Sequence, residues 1–179
     1  MTGSDRAETC CFTGHRPDKL PFVYGNNRQT GEFMRLASLA LYDAYEKGYR
    51  TFITGMCEGF DLWAAEIVLQ LKNLHGDIRL EAALPYERFG WKYHSAERTL
   101  FLDVLRSCDA VTVLCPEYIP ACFQMRNRYM VDRSSLLIAA YNGTPGGTRN
   151  TVAYALHTGC RIRNILDPDF TLQRTESEI

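Results

Sequence analysis

Three glycine-bearing turns hold the residues of this chain best suited to grip an anion. Gly14, His15 and Arg16 follow an apolar run that ends at Thr13. Gly55, Cys57, Glu58, Gly59 and Asp61 follow a second run that ends at Thr54. Asn142 to Thr148 follow a third, with Pro145, Gly146, Gly147 and Thr148 opening a helix-like segment. Unpaired backbone amides at a helix start attract phosphate. Glycine lets that backbone approach a ligand closely. Arg16 offers a bidentate grip on phosphate or carboxylate. His15 can donate a hydrogen bond or act as a general acid or base. The three turns can therefore converge on one phosphorylated ligand.

The remaining polar residues of these turns admit more than one role. Glu58 can bind ribose hydroxyls or serve as a base, and Asp61 can serve catalysis or simply cap the helix that follows. Arg126 shares a helix face with Met130 and can hold a phosphate. The candidate ligand-binding set is thus Gly14, His15, Arg16, Gly55, Glu58, Gly59, Arg126, Gly146, Gly147 and Thr148. The candidate catalytic set is Glu58, Asp61 and His15. Aromatic residues from Tyr86 to Tyr93 can stack on a base or cover helix ends. No GxGxxG follows the first strand and no GxxxxGK[ST] occurs, which excludes the ordinary dinucleotide-dehydrogenase and P-loop patterns.

These turns need a scaffold, and the apolar pattern supplies one. Strand-like runs cover 9–13, 50–54, 78–84, 110–115, 135–141 and 160–166. Helix-like runs cover about 29–47, 60–74, 95–107, 121–132 and 147–158. Phe33, Leu36, Ala37, Ala40, Leu41 and Ala44 form the clearest helical stripe. Strict alternation of strand and helix implies an α/β fold of three layers, a mostly parallel sheet with helices on both faces. Strand three carries Arg79 and Glu81, and strand six carries Arg161 and Arg163, so both are expected at edges. The expected order is 3-2-1-4-5-6, the Rossmann arrangement, with a ligand crevice at the ends of strands one and four. One domain over 1–166 and a polar tail over 167–179 are expected.

Composition narrows the setting. Twenty Lys and Arg stand against 21 Asp and Glu, a net charge of −1. That balance argues against a nucleic-acid partner. The seven cysteines are odd in number and show no CxxC pair or zinc-ligand spacing. Free thiols in a reducing cytoplasm are expected, with no bound metal. No apolar run approaches the ~20 residues of a membrane span.

Four segments together resemble the YpsA-like family of the SLOG superfamily of Rossmann-like proteins. They are Phe12–Pro17, Thr54–Glu66, Arg126–Met130 and Gly146–Ala155, and the resemblance spans about residues 9–166. It implies a nucleotide or nucleotide-derived ligand, bound in a sensing or regulatory role. Relatives in the superfamily imply alternatives: nucleotide N-glycosidic hydrolysis, as in the LOG enzymes, or single-stranded DNA binding, as in DprA. Self-association in the superfamily implies a homo-oligomer. The LOG comparison departs at two places. Asn127 stands where those enzymes carry Lys, and Arg149, Asn150 and Thr151 stand where their acids would be.

Overall fold

The structure, a computed structural model, describes residues 6–20 and 28–167. The expected tail therefore lies outside the described residues, apart from Asp167. The elements run β1 (Thr9–Gly14), a 3-10 turn (Pro17–Lys19), α1 (Arg28–Glu46), β2 (Thr51–Thr54), α2 (Phe60–His75) and β3 (Arg79–Leu84). They continue with α3 (Ser95–Ser107), β4 (Ala110–Val113), α4 (Cys122–Asp132), β5 (Leu136–Ala140), α5 (Gly147–His157) and β6 (Arg161–Asn164). Every strand pairs in parallel. The α/β three-layer architecture expected from the pattern is the one observed.

Alternate residues of the strands feed two cores. Phe12, Phe52, Leu80, Ala82 and Ile138 pack under α1, α2 and α3. Cys11, Ile53, Ala83, Leu137 and Ala139 pack under α4 and α5. This division follows from crossover handedness. Right-handed crossovers that move one way along the sheet lay helices on one face, and those that return lay them on the other.

The strand order is β4-β3-β2-β1-β5-β6, which corrects the expected 3-2-1-4-5-6. Strand six is an edge as expected, but strand three is internal and β4 takes the other edge. Two features of residue type misled. Glu81 is charged yet buried, because Tyr129 Oη donates to it at 2.5 Å, Thr112 Oγ1 at 2.9 Å and Arg133 Nη2 at 3.4 Å. A carboxylate so satisfied is compatible with an internal strand. Val111 and Val113 are apolar yet 48% and 41% exposed on the uncovered edge. The topological switch point, and with it the crevice, therefore lies between β1 and β5 rather than between strands one and four.

The end of β1 sets how closely the second layer approaches. A Cβ on Gly14 would overlap Phe60 at the start of α2, with Phe60 Cγ and Cδ1 at 2.7 Å. Phe60 is fully buried and packs edge-on against Phe12 and Phe33. It cannot swing aside. Gly14→Ala should cost about 1–3 kcal/mol by overpacking, measured as a lower urea midpoint. Unchanged stability would mean that α2 does not rest on β1 here.

Candidate functional site

A cleft of about 350 Å³ opens at the carboxyl ends of β1 and β5. Its walls come from three places: the turn after β1, the start of α5, and one face of α4. The turn after β1 is tied to β5 by His15 N–H, which donates to the Ala140 carbonyl at 3.1 Å. Asn142 shapes the turn after β5. Its Oδ1 accepts from Thr144 N–H at 3.1 Å, and its Nδ2 donates to the Lys19 carbonyl at 3.2 Å. Lys19 Nζ donates to the Pro145 carbonyl at 2.6 Å, so the two turns close one side of the cleft together. Gly146 then starts α5 with φ +146°, a conformation essentially confined to glycine.

The floor is an ion pair in a dry setting. Arg126 is 4% exposed and Asp61 is 4% exposed. Arg126 Nη1 donates to the Gly55 carbonyl and lies 3.8 Å from Asp61 Oδ2, while Nη2 lies 3.3 Å from Cys57 Sγ. Gly55 is needed beneath it, since a Cβ there would run into the Arg126 guanidinium. Arg126 Nε has no hydrogen-bond partner among the described residues. Burial pushes the Asp61 carboxyl up to about 6, against the pull of Arg126 and of the Cys57 and Gly14 amides. Burial, with the Lys19 cation nearby, lowers the His15 imidazole below its ordinary value, so it is neutral at pH 7. His15 Nε2 lies 3.4 Å from Thr144 Oγ1, and its ring is 5.6 Å from that of Tyr141.

The turn after β2 is held from behind. Thr54 Oγ1 donates to the Asp61 carbonyl and accepts from Met56 N–H, both at 3.1 Å. Met56 adopts φ +60°, a left-handed position uncommon for a non-glycine residue. Tyr93 Oη donates to its carbonyl at 3.2 Å. That hydrogen bond helps hold the turn in this form.

Of the residues expected at the site, Gly14, His15, Arg16, Asp61, Arg126, Gly146, Gly147 and Thr148 line the cleft. Gly55 backs Arg126 from outside the lining. Gly59 caps α2 behind it, and Glu58 is half-buried away from the lining. Thr13, Asp18, Lys19, Cys57, Phe123 and Asn127 also line it. Lys19 was within reach of sequence reasoning as a second cation three residues after Arg16. Phe123 was legible too, one helical turn before Arg126 on the same face.

Arg16, Lys19 and Arg126 stand against Asp18 and Asp61, and the first amides of α5 open into the same space. This arrangement can hold an anion in a cleft that is largely protein-walled. Among the described residues there is no group of His, Cys, Asp and Glu placed to hold a metal. No helix among them is long and apolar enough to cross a membrane.

Comparison with known proteins agrees with this architecture. A UPF0398 protein of Halalkalibacterium halodurans is 27% identical over 139 residues, covering 76% of this chain and 74% of that protein. The uncharacterized SPbeta prophage-derived protein YoqJ of Bacillus subtilis is 31% identical over 142 residues, covering 72% and 82%. The DNA processing protein A (DprA) of Streptococcus pneumoniae superposes with a TM-score of 0.56 at 15% identity. That likeness covers 87% of this chain but only 49% of DprA, and it speaks to the fold. The YspA SLOG family matches residues 10–160, so the chain belongs to the YpsA branch of the SLOG proteins.

Proposed function

We propose that the cleft binds a nucleotide or nucleotide-derived ligand through its phosphate, in a sensing or regulatory role. The observation that carries this reading is Arg126. A guanidinium this deeply buried, with Nε unpartnered and a helix N-terminus facing the same space, suits an incoming anion. An unsatisfied buried donor is costly, and Arg126 lines the cleft in which an anion would offset its buried charge. Arg16 and Lys19 at the mouth add charge and steering. Neutral His15 can donate one hydrogen bond without repelling anything.

A second reading has its own support. Asp61 lines the cleft and, with its carboxyl near 6, can hold a proton close to neutral pH. A nucleotide N-glycoside hydrolase needs such an acid for the leaving base. Asp61 is engaged with Arg126 and the Cys57 amide, which favours a structural carboxylate. The name of DprA raises DNA processing as a third role, and the net charge of −1 weighs against it.

Thermal denaturation against AMP, ADP-ribose, NAD, cyclic nucleotides and cytokinin-type nucleotides tests the proposal. A ligand at a hundred times its dissociation constant should stabilise by about 2.7 kcal/mol. Arg16 is exposed at the mouth. Arg16→Ala should weaken that shift while leaving the unliganded Tm in place. No shift with any nucleotide at millimolar concentration overturns the proposal. Product formation from a shifting nucleotide would move hydrolysis ahead of sensing.

A further inference from the structure

The cleft does not end at the phosphate cradle. Phe123, Asn127 and Gly147 also line a second hollow of about 290 Å³, a groove between α4 and α5. Gln124, Arg128, Asn150 and Tyr154 line the remainder that matters here. The two hollows are therefore neighbours, with those three residues between them.

The chemistry of the groove differs from that of the cleft. Three carboxamides line it: Gln124 and Asn127 on one face of α4, and Asn150 on α5. Each carries an acceptor beside two donors. None makes a side-chain hydrogen bond among the described residues. No carboxylate lines the groove, and Arg128 is its single charged residue among those described. Asn150 stands three residues along α5 from Gly147, roughly 4.5 Å at 1.5 Å per residue. A group bound at Asn150 is thus within a short linker of an anion at the α5 amides.

The groove also has a fixed aromatic wall. Phe123 is half-buried and held by edge-on contacts with Phe89 at 5.7 Å, Tyr86 at 6.2 Å and Tyr118 at 6.4 Å. The far end is held as well. Tyr154 Oη donates to Asp132 at 2.8 Å, and the Arg128 guanidinium sits 5.3 Å from the Tyr154 ring centre.

The usual dinucleotide path in this fold runs past the end of the second strand, where an acid takes the ribose hydroxyls. That path is filled here. Arg126 covers Gly55, Asp61 is engaged with Arg126 and the Cys57 amide, and Tyr93 closes over Met56. Glu58 lies outside the lining.

We propose that the α4–α5 groove is a base subsite, so that the ligand is a nucleoside monophosphate lying across α5 instead of along β2. This rests on the phosphate reading above. A base can lie against Phe123 and pair its edge with the carboxamides. Asparagine and glutamine match the adjacent donor and acceptor of adenine in this way. Among the described residues the groove carries no cation but Arg128, so its lining suits a neutral base rather than a further phosphate.

Calorimetric titration of the full chain with AMP and with ribose 5-phosphate tests it. Wild type should bind AMP at least ~10-fold more tightly than ribose 5-phosphate, since stacking alone contributes at this level. Gln124→Ala and Asn150→Ala, both at exposed positions, should each cut AMP affinity several-fold and leave ribose 5-phosphate affinity unchanged. Equal wild-type affinities for the two compounds overturn the base subsite while leaving the phosphate site standing. So does undiminished AMP affinity in both variants. Failure of wild type to bind either compound or any other nucleotide removes the phosphate site, and the base subsite with it.

Discussion

Arg126→Ala should cost the fold about 3–5 kcal/mol and remove nucleotide-induced stabilisation together. The stability loss comes from what stays behind. Removing one partner of a buried pair leaves the other without compensation, and here Asp61 is left 4% exposed beneath the cleft. The loss should depend on pH. In the wild type the Asp61 carboxyl is pushed up from 3.8 to about 6 by burial. The folded chain therefore holds that proton more tightly than the unfolded chain does. The associated stability is complete below the unfolded value and is lost as pH rises through the folded one. Arg126 opposes the upward shift, so its removal carries the Asp61 pKa higher still. The deficit of Arg126→Ala relative to wild type should grow between pH 5 and pH 8, as measured by urea denaturation at both. Equal deficits would remove Asp61 as the source. Replacing both partners, Arg126→Met with Asp61→Leu, should recover most of the stability, because an apolar pair of similar volume often serves as well. It should not recover binding.

Gly147→Asp should do the reverse, abolishing binding while sparing the fold. Gly147 is the first residue of α5, and a Cβ there meets nothing within 4 Å. An acid in a first helical turn is favourable by about 0.3–1 kcal/mol. The unliganded Tm should hold or rise slightly. The same carboxylate would stand where the phosphate is proposed to sit. Two unit charges 4 Å apart repel by about 1 kcal/mol in water and about 4 kcal/mol near a protein surface. Affinity should fall at least ~10-fold, and more for a dianion. Gly147→Asn, similar in size and neutral, should keep most of the binding. If Gly147→Asp binds AMP as wild type does, the anion is not held by the start of α5.

Much of the scaffold was legible because its signals are local. The stripe from Phe33 to Ala44 lies on one buried side of α1, and the helix starts at Phe60, Ser95 and Gly147 appear where the pattern put them. Strand order was not legible, because neighbours in a sheet are chosen by tertiary contacts. Glu81 marked β3 as an edge until Tyr129, forty-eight positions later, supplied its partner. The site divides in the same way. The turn glycines, His15, Arg16 and Arg126 announce themselves by type and spacing. The ion pair that turns Asp61 and Arg126 into one floor does not, since it depends on α4 crossing back over the sheet. Glu58 and Asp61 were both candidates for catalysis in the chain, and only Glu58 was also expected to bind the ligand. Only the fold places one in the lining and the other outside it.

The strand order has a consequence for how the cleft comes into being during synthesis. β1, β2, β3 and β4 lie side by side in the order in which they leave the ribosome. They can pair progressively, each new strand joining the one just made. β5 breaks that progression and must find the far side of β1, made some 125 residues earlier by the pairing of Cys11 with Leu137. Such a late, long-range closure is slow to form. The cleft is thus the seam between an early-forming half and a late-arriving one. A ligand bound across it would tie the two halves together, reporting on their union as much as on its own concentration.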